Sequence, residues 1–352
     1  MSVEEIVEAV RVAASSKTPL AITGGGSKAH LGDAVEGRAL TMDSYNGVIS
    51  YEPTELVVTV RSGTSMDSLT QTLSGEGQCL PFEPPLLKGS TIGGVLACGL
   101  SGPARPFTGS ARDYVLGMRL INGQAEDLSF GGEVMKNVAG YDVARLQVGA
   151  YGTLGVLLET SLKVLPIPEA TLTVQREASS TDSLAELIEL SRQPWPITGL
   201  FRQDKVDTIR LSGSESAVRS AAKSIGGQSI EGGDELWAEL RDQSSEFFTH
   251  SSESLWRLSV PAHARMANLP GEVLYDWGGA QRWLRTSAPA QEIFSEAKAL
   301  GGHAICYSAV TCENAGFQPL EPGIARLHAR LRDSFDPHRL FNRGRFQPDV
   351  DS

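Results

Sequence analysis

Gly24-Gly25-Gly26-Ser27-Lys28-Ala29 is the run in this chain best suited to hold a ligand by its backbone. It fits the dinucleotide pattern G-x-G-x-x-A, follows a strand-like stretch at residues 19–23, and has Asp43 near the distance expected of a ribose-binding acid. That pattern needs a helix to begin inside it, so that the helix N-terminus faces a pyrophosphate. Gly32-Asp33 and Gly37 follow too soon for a helix of useful length, which disfavours a nicotinamide-type Rossmann site. A Walker loop is excluded, because the spacing G-x-x-x-x-G-K-[ST] is absent. Consecutive glycines have another use: they can turn several N–H groups to one side and form a nest for an anion without any helix. Ser27 would add a hydroxyl and Lys28 a charge, and a pyrophosphate suits such a nest. The ordinary alternative is a plain turn between two strands.

A second glycine-rich stretch points the same way. Of 37 glycines in the chain, fourteen fall within residues 89–155, and chain entropy is given up on that scale where backbone turns sharply or approaches something closely. Ser90-Thr91-Ile92-Gly93-Gly94 opens the stretch with two hydroxyls before two small residues. Gly99, Gly102 and Gly109 follow, with Arg105 among them, then Arg112-Asp113, then residues 136–142 and 149–156. Singly each glycine reads as close packing; together they suggest a groove lined by backbone, as a long flat cofactor requires.

A site acting on a small organic acid would need a cation for its carboxylate and a base for any proton it gives up. Arg202, Arg257, Arg282 and Arg285 are candidate cations and His303 a candidate base, though a structural ion pair or a surface position is the commoner fate of each, and no catalytic residue is assigned. His30, four residues past Gly26, reads as a solvent-facing loop histidine. The six histidines are scattered, so no local motif offers a metal site. The four cysteines, Cys79, Cys98, Cys306 and Cys312, form no CxxC pair and read as reduced, buried thiols of a cytoplasmic protein.

The elements that must carry these residues are legible in outline. Ser2 and Glu5 have capping-box spacing, and Val3, Ile6, Val7, Val10 and Ala14 follow on one helical face. Residues 56–60 form a strand, and Thr64-x-x-Asp67 starts a helix through Leu69 and Leu73. Residues 114–121 form another strand, with Asn122-Gly123 as a hairpin turn. Leu154, Val156, Leu158, Thr160, Leu162 and Val164 alternate as a long half-buried strand, and Pro166 and Pro168 end it at a domain boundary. Beyond residue 170, strand-like and helix-like stretches alternate, which predicts an antiparallel sheet with helices on one face. A last helix over residues 324–335 breaks at Asp336-Pro337-His338.

Composition narrows the partners. The chain has 352 residues and a net charge of −11, which argues against nucleic acid and against an anionic membrane surface as direct ligands. Its longest apolar runs, such as residues 95–98 and 154–158, fall far short of the ~18 residues of a membrane span, and its first residues are acidic and amphipathic rather than those of a signal peptide.

The order of motifs resembles the vanillyl-alcohol-oxidase (PCMH-type) family of FAD-binding proteins. The likeness rests on Gly24-Gly25-Gly26-Ser27, Thr91-Ile92-Gly93-Gly94, Arg112-Asp113-Tyr114-Val115-Leu116-Gly117, Lys136-Asn137-x-x-Gly140-Tyr141-Asp142, Gly152-Thr153-Leu154-Gly155-Val156, and the terminal residues 335–345. Residues 276–284 and Gly301-Gly302-His303-Ala304 further resemble the cap of the FAD-binding subunits of bacterial glycolate oxidases. The resemblance implies an α+β fold: a two-part FAD-binding domain at residues 1–165, a ferredoxin-like cap of antiparallel sheet plus helices at 166–323, and a C-terminal return at 324–352. It implies non-covalent FAD, with Gly24, Gly25, Gly26, Ser27 and Lys28 at the pyrophosphate. Thr91, Gly93 and Gly94 would approach the phosphates, Gly140, Gly152, Gly155 and Val156 would flank the ribityl and adenine parts, and Asn342 would lie toward the flavin ring. It also implies a complex with a second flavoprotein subunit and an iron–sulfur subunit. That complex would oxidise a small 2-hydroxy acid, glycolate to glyoxylate, and pass electrons to a membrane carrier, so that a cytoplasmic chain could be peripherally membrane-associated. Two departures stand out: Asn342-Arg343-Gly344 replaces the family's Asn-Pro-Gly, and the His-rich metal motif of the larger relatives is absent. The alternative is therefore a flavin-loaded electron-transfer or scaffold subunit without a substrate site of its own.

Overall fold

A computed structural model of the chain describes residues 1–132, 141–180, 183–249, 252–307 and 316–346. The N-terminal helix Val3–Ser16 starts as its sequence requires: the Ser2 hydroxyl accepts from the Glu5 amide, and the Glu5 carboxylate accepts from the Ser2 amide at 2.7 Å. Its inner face, Ile6, Val10 and Ala13, packs on Leu20, Leu40, Ile121, Val156, Leu158, Leu340 and Phe341.

Five antiparallel strands form the central sheet, in the order Val48–Glu52, Val57–Arg61, Val156–Lys163, Val115–Ile121, Asp127–Gly131. The strand Val156–Lys163 is not half-buried. Apolar cores cover both its faces, and the period-two run of the sequence is interrupted by a bulge, where the register shifts between Arg119 and Leu120. One extra residue in a strand exchanges its faces. Val156 and Leu158 therefore lie under the N-terminal helix, while Leu162 and Val164 join the opposite core with Leu69, Leu73, Ile92 and Leu96.

Two turns also differ from their sequence signals. Asn122-Gly123 does not form a two-residue turn: the connection spans residues 122–126, the Asn122 side chain accepts from the amides of Gln124 and Glu126, and Ala125 takes the left-handed conformation. Gly123 is small for another reason, since a Cβ there would stand 2.6 Å from the Asp336 carboxylate. The helix Met66–Gly75 is capped by Ser65 rather than Thr64, whose hydroxyl is held by Gly47.

The remaining large sheet has eight strands, with every pairing antiparallel: Gln228–Ser229, Ala170–Glu177, Val206–Gly213, Ile197–Gln203, Glu272–Asp276, Gln281–Thr286, Ser254–Ser259, His303–Cys306. Helices cover both faces, not one. Ala185–Ser191, Glu215–Ile225 and Ala290–Ala299 pack on the outer side. Phe201, Leu255, Leu274, Trp283 and Ile305 point the other way and are covered by Gly233–Asp242 and Glu246–Thr249, together with Leu31 and Leu100 from the N-terminal part. Side chains alternate across a strand, so an apolar inner set needs a cover of its own.

After the helix Pro322–Phe335 the chain returns to the N-terminal part, where Phe341 bridges Leu20 in parallel. The buried Asp336 carboxylate makes this return possible by accepting from the amides of Leu340 and Phe341 at 2.9 and 2.8 Å. Asp336→Ala would strand both amides, so we expect it to cost about 2–4 kcal/mol, read as a lower denaturation midpoint in urea. Cys79 and Cys98 are free, whereas Cys306 is disulfide-bonded, which corrects the expectation of reduced thiols throughout; Cys312 lies outside the described residues. Among the described residues no helix is long and apolar enough to cross a membrane.

Candidate functional site

The first glycine loop leaves the strand Leu20–Thr23 and forms no helix before residue 34. It lies directly against the second glycine-rich stretch. A Cβ on Gly24 would stand 2.2 Å from the Thr91 hydroxyl, and one on Gly25 only 1.8 Å from the Gly89 carbonyl oxygen. Thr91 in turn caps the short helix Ile92–Cys98 by accepting from the Gly94 amide, and the Gly93 amide donates to the Ser62 carbonyl at 2.8 Å. The third wall is the turn at residues 151–155. Asn342 clamps it to the first strand, accepting from the Ile22 amide and donating to the Tyr151 carbonyl, both at 2.7 Å.

These contacts enclose a cleft with about 790 Å³ of free space, mouth included. Gly24, Gly25, Gly26, Ser27, Lys28, Thr91, Gly93, Gly94, Gly152, Gly155 and Asn342 all line it. Val156 does not: its side chain sits in the core beneath the N-terminal helix. Gly140 lies outside the described residues. Sequence reasoning missed Ser62, Cys98, Tyr151 and Arg345. Arg345 and Tyr151 belong to stretches already singled out, but Ser62 carried no signal beyond following a strand.

The electrostatics of the cleft are unbalanced. Lys28 is buried, and its ammonium donates to Ser27 Oγ at 3.0 Å and Ser90 Oγ at 2.5 Å, with no ion pair to any described carboxylate. Burial pushes its pKa down from 10.5 to about 8. Ser62 Oγ is buried without a hydrogen-bond partner among the described residues. A buried cation without a counter-ion and an unsatisfied buried hydroxyl are both costly unless a ligand completes them. The donor set fits a pyrophosphate: main-chain amides freed by glycine, a hydroxyl and an ammonium. Cys98 at the floor is pushed up to about 11 by burial and stays a thiol.

The four candidate arginines separate cleanly. Arg202 is paired with Asp207 at 2.6 Å and caps the carbonyls of Ser180 and Ser183. Arg282 donates to the carbonyls of Gly279, Ala264 and Arg265, and Arg285 to those of Phe247, Phe248 and Glu253. All three brace the cap. Arg257 lies on the inner side of the sheet, with Nη1 donating to Tyr307 Oη at 3.0 Å. His303 stands near it, open to solvent. Partial desolvation, and then the like charges of Arg257 and Arg105, keep His303 below the ordinary 6.5. His30 is not the solvent-facing residue its loop suggested: it is half-buried, edge-on to Tyr307 with ring centres 6.1 Å apart, and lowered by burial and by Lys28 and Arg345.

Comparison with known proteins gives this geometry a context. The FAD binding domain family matches residues 1–131. The glycolate oxidase subunit GlcE of Escherichia coli is 46% identical over 99% of this chain and 98% of its own length. The glycolate oxidase subunit GlcD of Bacillus subtilis is 28% identical over 53% of this chain and 40% of its own, and a D-lactate dehydrogenase of Anaerostipes hadrus is 30% identical over 49% and 37%. Among solved structures, alkyldihydroxyacetonephosphate synthase shares the fold at a TM-score of 0.67 and 16% identity, covering 96% of this chain and 74% of that one. The end-to-end likeness to one subunit settles the kinship: the chain belongs to the GlcE family of FAD-binding oxidoreductase subunits.

Proposed function

We propose that this chain is the FAD-binding subunit of a complex that oxidises glycolate to glyoxylate. Its parts divide as an FAD-binding domain at residues 1–165, a cap at 166–323 and a C-terminal return at 324–352. Gly24, Gly25, Gly26, Ser27 and Lys28 hold the pyrophosphate, Thr91, Gly93 and Gly94 approach the phosphates, and Gly152, Gly155 and Asn342 shape the wall toward the flavin. Bound FAD supplies an acceptor for the two electrons that leave the substrate carbon. The chain's own work is to keep the cofactor without a covalent link, orient it beneath the cap sheet and exclude water. A second flavoprotein subunit and an iron–sulfur subunit are the proposed partners, in a cytoplasmic assembly that reaches the membrane only peripherally.

The observation that carries the proposal is the cleft itself, where backbone from three separate glycine-rich segments meets beside an ammonium without a counter-ion. The test is anaerobic addition of glycolate or D-lactate to the purified yellow chain. Bleaching of the visible flavin bands is the expected result. Bleaching only after partner subunits are added would instead assign the chain to electron transfer. A chain purified gently without any flavin would overturn the proposal.

A further inference from the structure

Arg257 leaves most of its hydrogen-bonding capacity unused. A guanidinium carries five N–H donors in a rigid fork that matches a carboxylate. Here the Tyr307 hydroxyl takes one of them, Arg257 Nε is buried with no acceptor, and no ion pair to Arg257 occurs among the described residues. The neighbouring charges make this worse rather than better. Arg105 lies over the Trp277 ring at 4.4 Å and likewise has no ion pair among the described residues. Arg257 bears on both Arg105 and His303, and each is held below its ordinary pKa by partial desolvation first and by these like charges next. In a chain of net charge −11, positive groups gathered this way do not merely neutralise the surface.

The hollow beside Arg257 has about 300 Å³ of free space, mouth included, with Leu100, Trp283 and Tyr307 among its walls. It is smaller than the glycine-lined cleft and shares no lining residue with it. One carboxylate, Asp276, also lines it, but its oxygens accept from the Trp277 amide at 2.7 Å and the Gln281 side chain at 3.0 Å, not from Arg257. We propose that Arg257, supported by Tyr307 and Arg105, forms a second anion site under the cap sheet, one that takes the carboxylate of a small 2-hydroxy acid. This deepens the proposed function and rests on it for the identity of the acid. The small size of the hollow favours a two- or three-carbon acid over a bulky one.

The test is a calorimetric titration of the full FAD-loaded chain with oxalate, a two-carbon acid that is not turned over, with flavin absorbance per chain recorded in parallel. Charge-assisted hydrogen bonds of this kind contribute about 1.5–3 kcal/mol, so Arg257→Gln should weaken oxalate binding roughly ten- to a hundredfold at unchanged flavin content. Arg257→Lys should recover part of the loss, which a purely structural role would not produce. Oxalate binding to Arg257→Gln at wild-type strength would overturn the site. So would a flavin-loaded wild-type chain that binds no oxalate. A wild-type chain that binds oxalate but carries no flavin would leave the anion site standing and overturn the proposed function.

Discussion

Gly25→Asp should yield a folded chain that retains no FAD. The cause is local and twofold. A Cβ at Gly25 would stand 1.8 Å from the Gly89 carbonyl oxygen, so any side chain forces the first glycine loop away from the second. The aspartate then adds a negative charge where a pyrophosphate is to bind. For like charges about 4 Å apart at an effective dielectric near 20, that repulsion is on the order of 4 kcal/mol, close to a thousandfold in affinity. Flavin absorbance per chain after gel filtration reads the effect, and circular dichroism checks that the fold survives. Gly26→Ala supplies the contrast. Gly26 has φ +75°, but a Cβ added there would meet nothing within 4 Å, so the substitution brings only backbone strain of about 1–2 kcal/mol. Most of the flavin should remain. Equal loss in both variants would mean that the loop tolerates no change at all and that contact with Gly89 is not what matters.

Lys28→Met should act in opposite directions on the two forms of the protein. With FAD bound, the ammonium is expected to face the pyrophosphate, and losing it should cost about 3 kcal/mol, roughly a hundredfold in affinity. Without FAD, the same ammonium is a buried charge with no counter-ion, so the methionine chain should be the more stable of the two. The pH dependence carries the same signature. Burial lowers the Lys28 pKa from 10.5 to about 8, so between these values the unfolded chain binds more protons than the folded one. Stability of the FAD-free chain should therefore rise with pH across that window, the penalty being fully present below pH 8. FAD affinity should move the other way, steady below about pH 8 and falling above it, as the ammonium must first be reprotonated. Both trends should vanish in Lys28→Met. Equilibrium dialysis against FAD and chemical denaturation measure them. A wild-type affinity unchanged up to about pH 10, well past the lowered Lys28 pKa, would remove Lys28 from the pyrophosphate site.

The sequence by itself determined the features that depend on local spacing. The capping box at Ser2 and Glu5 starts the first helix as written. The glycine loop forms no helix, as Gly32 and Gly37 required, and the order of strands and helices marks an FAD-binding part followed by an antiparallel cap. Only the tertiary structure decided what depends on approach from far along the chain. The alternation from Leu154 to Val164 looks like one half-buried strand, yet a bulge set by the pairing with Arg119 and Leu120 divides its side chains between two cores. Gly123 reads as a turn residue but is small because Asp336 packs on it. The candidate arginines are indistinguishable in sequence, since a guanidinium is assigned by its partners, and those partners are carbonyls and carboxylates brought in by the fold. Arg202, Arg282 and Arg285 find them and Arg257 does not. His30 looked like a loop residue because nothing near it in the chain signals that Tyr307 will cover it. Spacing along the chain controls hydrogen bonds that close over a few residues; burial and charge balance are sums over neighbours that only folding brings together.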